Sequence, residues 1–286
     1  MQREPVVAGM FYPANPERAR AEVAEMLQAA QASLPAGRFV AGLVPHAGWA
    51  YSGPTAARAF AALAAGGAPQ TVVFFGAVHA WGVRRPALYA RGAWHTPLGP
   101  LPVDEAMAAE ILREAGGEVA ASEQAHSEEH SIEVQLPFVA YLWPKAAIVP
   151  LMVPPSAGAA AVGEAVARAV QPRGHAVYLV GSSDLTHYGP NYGIVPRGAG
   201  PEALAWAKEN DQRLLDDVVH LRAEAIVERA NADRSACGGG AIAATVAAAR
   251  ALGATEGRIL EHTTSYDVRP TGTPRDFVGY ASVVFS

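Results

Sequence analysis

The chain has 286 residues, 50% of them hydrophobic and 17% charged, with a formal net charge of −5. That is enough apolar chain for a large buried core, and the lack of any basic run argues against nucleic acid as a partner. Cys237 is the only cysteine, which excludes an internal disulfide and suits a reducing cytosol.

The opening residues Met1-Gln2-Arg3-Glu4-Pro5 lack an apolar signal core. No stretch reaches the ~18 apolar residues that span a bilayer. A cytoplasmic protein with no membrane association is therefore expected. Residues 1–15 hold Pro5, Gly9 and Pro13 around Phe11-Tyr12 and read as an extended arm. Pro16–Ala30 reads as a helix, with Val23, Met26 and Leu27 at helical spacing and acids early. Val40–Val44 is a short apolar run, a buried strand stopped by Pro45. Ser52 reads as a helix N-cap, with Pro54 in the first turn. His46 then leaves the carboxyl end of a strand on a tight loop before a helix. In open α/β sheets that is where ligands bind; an ordinary turn with a surface histidine is the plainer alternative.

Thr71–Phe75 is a second strand, β-branched and aromatic, and it runs into Gly76-Ala77-Val78-His79. Ala87–Ala90 and Gly92–His95 read as a hairpin closed by Thr96–Pro102, and Asp104 caps a helix to about Ala115. Gln124–Ser131 is polar and holds His126, Glu128, Glu129 and His130. Ile132–Leu142 has helical spacing, with Pro137 marking a kink or late start. Ile148–Val153 is a strand and Ala157–Val170 a helix. Val177–Val180 is a strand leading into Gly181-Ser182-Ser183-Asp184-Leu185-Thr186-His187-Tyr188-Gly189. Helices follow over Pro201–Val219, Ala223–Ala230 and Ala241–Leu252, the last opened by Ala236-Cys237-Gly238-Gly239-Gly240. Arg258–Tyr266 and Val278–Phe285 alternate as closing strands. No internal repeat or linker interrupts the chain, so a single domain over residues 1–286 is expected. Strands alternating with helices point to a mostly parallel or mixed sheet covered by helices on both faces.

His46, His79 and His187 each follow a buried strand, and Cys237 sits in a glycine-rich loop at a helix start. Imidazole and thiolate suit zinc, iron and copper, and a helix N-terminus favours the thiolate. None of these spacings is a compact metal motif, and a lone cysteine in an alanine-rich region is commonly just a small buried hydrophobe. Asp184 is a candidate to orient an imidazole or to ligate, or else a turn carboxylate. Glu133 is placed either as a helix cap or, with His130 and Tyr51, at the rim of a pocket.

Several stretches together resemble the Memo family, whose prokaryotic members are called AmmeMemoRadiSam system protein B. They are Val7-Ala8-Gly9-Met10-Phe11-Tyr12-Pro13, Pro45–Gly53, Glu129-His130-Ser131-Ile132-Glu133, Gly181–Asp184 with His187-Tyr188-Gly189, Cys237-Gly238, and Gly279-Tyr280-Ala281-Ser282. The resemblance implies an α/β fold similar to the class III extradiol ring-cleaving dioxygenases. It implies a metal pocket of His46, His79 and Cys237, with His187 and Asp184 beside it as catalytic residues. Iron or copper is the expected metal, with zinc as the alternative. The function it implies is a non-haem iron- or copper-dependent, dioxygenase-like redox enzyme acting on a small substrate. The alternatives are a non-catalytic protein that binds a peptide or protein partner in the same pocket, and a metal-assisted hydrolase. Links of eukaryotic relatives to phosphotyrosine peptides, and of prokaryotic ones to radical-SAM and AMMECR-type proteins, are implied in the same way. This chain departs from the family at Ala77-Val78, where Ser often precedes His79, and at Trp49 and Gln135, where Tyr and His are frequent.

Overall fold

The computed structural model describes residues 2–32 and 34–286; Met1, the first residue of the expected arm, lies outside them. The elements in chain order are β1 (Gln2–Arg3), α1 (Pro16–Gln31), β2 (Ala41–Val44), α2 (Trp49–Ala64), β3 (Thr71–Gly76), β4 (Ala87–Leu88), β5 (Ala93–Trp94) and β6 (Leu101–Pro102). Next come α3 (Glu105–Glu114), β7 (Ala120–Ala121), α4 (Leu136–Leu142), β8 (Ala147–Met152), α5 (Ala159–Val170), β9 (Val177–Ser182) and β10 (His187–Tyr188). The chain ends with α6 (Pro201–Val219), α7 (Ala223–Asp233), α8 (Gly239–Ala251), β11 (Gly257–Thr264), α9 (Ser265–Val268) and β12 (Phe277–Phe285).

The main sheet is mixed and, among the described residues, nine-stranded, in the order β10-β12-β2-β9-β3-β8-β4-β7, with β11 paired to β12. Its centre, β2, β9, β3 and β8, is parallel. Every residue of β2, β3 and β9 is buried, as continuous apolar runs require when both faces of a sheet are covered. Helices α1, α2 and α4 pack together, and α3, α5, α7 and α8 form a second group, so both faces are covered. No helix among the described residues is long and apolar enough to cross a membrane.

Three local expectations are corrected. The helix after His46 begins at Trp49 with Gly48 as its cap, and Ser52 lies inside its first turn, donating back to the Ala47 carbonyl at 2.8 Å. The backbone is already helical before Ser52 arrives, so its hydroxyl binds backward rather than capping forward. Ala87–Ala90 and Gly92–His95 do not form a hairpin with each other. β4 joins the main sheet beside β8 and β7, while β5 pairs with β1 and β6 in a separate three-stranded sheet. The arm's β1 is the partner that β5 takes, and nothing local to residues 87–95 announces it. The first closing strand stops at Thr264, where a capping box with Asp267 turns the chain into α9.

Candidate functional site

The parallel strands deliver their following loops to one edge. His46 comes two residues after β2, His79 three after β3, and Asp184 two after β9. Ring nitrogens of His46, His79 and His130 lie within 4.8 Å of one another. The His79 and His130 rings stack at 4.7 Å and 21°, while His46 stands edge-on to both at 5.2 and 5.6 Å. His130, expected at the rim, therefore belongs to the cluster. Cys237 precedes α8, and its Sγ is 3.2 Å from His46 Nε2. The glycines after it serve close backbone approach: a Cβ on Gly240 would meet the Pro154 carbonyl oxygen at 2.3 Å.

The hydrogen bonds fix which ring nitrogens face inward. Ser182 Oγ gives its only proton to the Ser131 carbonyl at 2.7 Å, so it must accept from His46 Nδ1 at 3.1 Å. That leaves the Nε2 lone pair of His46 for the cluster. The Glu129 carboxylate likewise accepts from His79 Nδ1 at 3.0 Å, and from the backbone N–H groups of His79, His130 and Ser131. These contacts hold the Glu129 carboxyl far below the usual carboxylate range against the opposing effect of burial. The Gln135 amide, where the family frequently has His, donates to the Pro45 carbonyl at 2.8 Å and to Ser182 Oγ at 3.3 Å. Its role here is to support the His46 turn.

The ionisable groups of the cluster shift one another's protons. Burial works against a charged His79, but hydrogen bonds to Cys237 and Glu129 outweigh it and hold this imidazole up at about 10. Burial, reinforced by the His79 charge, pulls His130 down to about 4. Burial also lowers His46, partly opposed by the Cys237 charge. Burial raises the Cys237 thiol, yet His46 and His79 bring it down to about 7. The cluster thus sets a readily ionised thiol beside an imidazole that holds its proton firmly. A cation entering it displaces the His79 proton, so affinity rises with pH. Imidazoles with oriented lone pairs and an adjacent low-pKa thiol are the donor set that zinc, iron or copper selects, so these residues fit a transition-metal ion.

The cluster opens into a cavity of about 690 Å³. Asp184, His187, Tyr51 and Phe11 are among its lining residues. Asp184 is buried, accepts the His46 N–H at 2.7 Å, and is raised chiefly by burial. His187 gives its Nδ1 proton to the Leu185 carbonyl at 3.0 Å, leaving Nε2 free to exchange one. Glu133 is not on this wall and caps no helix through its side chain. Its carboxylate takes Arg3 at 2.8 Å, Tyr12 Oη at 2.9 Å and the N–H groups of Val6 and Val7, which makes it the anchor of the N-terminal arm. The contributions of Glu129 and Ser182 escaped sequence reasoning. The polar Glu129-His130-Ser131 run was a visible signal, but its partner His79 is 50 residues away.

The chain matches the family model described as "Memo-like protein" over residues 3–284. It is 38% identical to a MEMO1 family protein of Thermococcus onnurineus over 100% of this chain and 99% of that one. It is 37% identical to another from Pyrococcus abyssi, over 99% of each chain. In three dimensions it is similar to an uncharacterized protein of Escherichia coli K12, with a TM-score of 0.53 and 14% identity, covering 87% of this chain and 100% of that one. At that identity the likeness concerns the α/β fold alone. By its family match and by these near full-length relatives, the chain belongs to the Memo family.

Proposed function

We propose that this protein is a metal-dependent redox enzyme of dioxygenase-like type, holding iron or copper through His46, His79 and Cys237 and acting on a small substrate in the adjoining cavity. The observation that carries this reading is the convergence of three imidazoles on the wall of an open cavity, with the Cys237 thiol against one of them. A bound ion there would supply Lewis acidity and one-electron chemistry. Around it, Glu129 and Ser182 orient His79 and His46. His187, with Nε2 free, gives or takes a proton from the substrate. Asp184, raised by burial, fixes the His46 backbone and can itself hold a proton. Phe11, on the cavity wall, packs edge-on against His130 at 5.0 Å.

Metal analysis after aerobic and anaerobic purification tests this, with wild type set beside Cys237→Ser. Stoichiometric iron or copper that falls in Cys237→Ser supports it. A closed four-ligand zinc site argues against catalysis, and the absence of metal favours the peptide-binding alternative. Iodoacetamide labelling of Cys237 should slow when Fe(II), Cu(I) or Zn(II) is added under anaerobic conditions. An unchanged rate would take Cys237 off the ligand list.

A further inference from the structure

Two segments serve the site: residues 183–187 bring Asp184 and His187 to the cavity wall, and Asp233–Cys237 brings Cys237 against His46. Both are tied to one place on α6, the fully buried neighbours Asn210 and Asp211. Asn210 Nδ2 donates to Thr186 Oγ1 at 2.9 Å and to the Asp233 carbonyl at 3.0 Å, so a single amide spans both loops. Arg213 supports that amide from the far side, donating to Asn210 Oδ1 and pairing with Asp233 at 3.2 Å. Asp211 Oδ1 accepts the Thr186 N–H at 2.9 Å, and Oδ2 contacts His262 Nε2 at 3.0 Å. The fold makes room for this carboxylate at Gly279, where a Cβ would stand 2.1 Å from Asp211 Oδ2. Beyond Thr186 the register passes directly into the cluster. The Asp184 carbonyl accepts the Cys237 N–H at 3.2 Å, and the Asp184 side chain accepts the His46 N–H at 2.7 Å.

A buried carboxylate costs stability unless it is fully bonded, and here one oxygen holds the Thr186 loop beneath the cavity wall while the other is held by His262 of β11. We propose that Asn210 and Asp211 are positioning residues, which lock the two loops together and so set Cys237 against His46. The proposal rests on the cluster being the functional site, but it concerns loop geometry that exists without metal.

Amide hydrogen exchange on the metal-free protein tests it first. Asn210→Ala and Asp211→Ala should raise exchange at Thr186 and Cys237 by roughly tenfold, the size of one net hydrogen bond, with β2, β3 and β9 unchanged. Asp211→Asn keeps an acceptor for the Thr186 N–H and should recover most of the protection. On the Co(II)-loaded protein, Asn210→Ala should weaken the thiolate-to-cobalt absorption while the ligand-field bands persist. Asp104→Ala, which removes the α3 cap and its bonds to Thr71 and Arg173 and touches neither segment, is the control for general destabilisation. If it produces the same exchange pattern at the same loss of Tm, or if exchange in the Asn210 variant rises uniformly, the positioning role is overturned. Should Asp211→Ala fail to fold, Asn210→Ala and Asp211→Asn decide the matter. If wild type shows no cobalt absorption, the metal reading falls, and the metal-free exchange pattern still judges the loop lock.

Discussion

Glu129 and Glu133 lie in one buried turn, and each is saturated with hydrogen bonds, yet they serve different regions. Glu129 bonds to His79 and to the backbone that carries His130, at the floor of the cavity. Glu133 bonds to Arg3, Tyr12 and the arm backbone, in a buttress behind it. The histidines of the two regions differ in the same sense. Electrostatic partners hold His79 up at about 10, whereas burial pulls His126, packed in the buttress, down to about 4. Saturation alone therefore does not separate a functional carboxylate from a structural one. What separates them is whether the partner at the far end has a nitrogen that a cation can take, as His79 has at Nε2 once its proton is displaced and Arg3 has not.

The largest effect is expected at Glu133. Its removal leaves the Arg3 guanidinium buried, with bonds only to the carbonyls of His126 and Glu129 and its face over the Trp94 ring at 4.0 Å. Glu133→Ala should cost about 3–5 kcal/mol, the usual penalty for stranding one member of a buried pair. Urea unfolding measures it, and a cost under ~1 kcal/mol, typical of exposed pairs, would show that the arm is held by other means.

Next is the pH response of the buttress. His126 donates from Nε2 to the Ala87 carbonyl at 2.9 Å, and its Nδ1 is buried with no partner among the described residues. Its pKa falls from 6.5 unfolded to about 4 folded, with burial the main cause and the Arg3 charge adding to it. Below the unfolded value the unfolded chain binds a proton that the native state refuses, so stability is lost as pH falls from 6.5 towards 4. The loss attributable to this residue should reach roughly 3 kcal/mol. His79 has the opposite sign, its contribution being full below 6.5 and lost as pH rises towards about 10. Comparing wild type with His126→Asn at pH 7.5 and pH 4.5 isolates the buttress. A constant difference between the two proteins would mean that His126 takes up its proton in the folded state.

Much of this arrangement was legible in the sequence because parallel strands buried on both faces are unbroken apolar runs, and the loops leaving their carboxyl ends form the ligand edge. His46, His79 and Asp184 were singled out that way, and the structure brings them to one edge. Cys237 was singled out from its glycines, although Gly240 serves close contact with the chain just past β8 and Gly238 with the end of β9. The features that the sequence withheld depend on partners far along the chain. Ser182 read as part of the loop after the Val177–Val180 strand, and its role depends on the Ser131 carbonyl, 51 residues away. Glu133 read as a cap or a rim residue because its arm partners lie more than 120 residues upstream. The mistaken hairpin has the same origin, since β5 takes its strand partner from the arm.

Within the cavity floor, Glu129→Gln should lower Co(II) or Zn(II) affinity by about 10- to 100-fold, as loss of a charged orienting partner commonly does. A neutral amide can still accept from one nitrogen, so His79 keeps its orientation but loses the carboxylate that raises its basicity. Competition with a chromophoric chelator reads this directly. An unchanged affinity would mean that His79 does not ligate.

The smallest effect is expected at Ser182, the neutral counterpart of Glu129. Its hydroxyl does for His46 what the carboxylate does for His79: it accepts from Nδ1 and leaves Nε2 pointing into the cluster. The bond carries no charge, and bonds between neutral groups are roughly half as strong as charge-assisted ones. His46 also has a second restraint, since its backbone N–H is held by Asp184 at 2.7 Å. Ser182→Ala should therefore weaken metal binding by about 2- to 10-fold, the range of one net neutral hydrogen bond. It also strands the Ser131 carbonyl and one Gln135 contact, so a modest loss of Tm should accompany it. If Ser182→Ala proves as damaging to affinity as Glu129→Gln, ring orientation outweighs ligand basicity in this cluster. The two histidines would then be equivalent ligands despite their unequal partners.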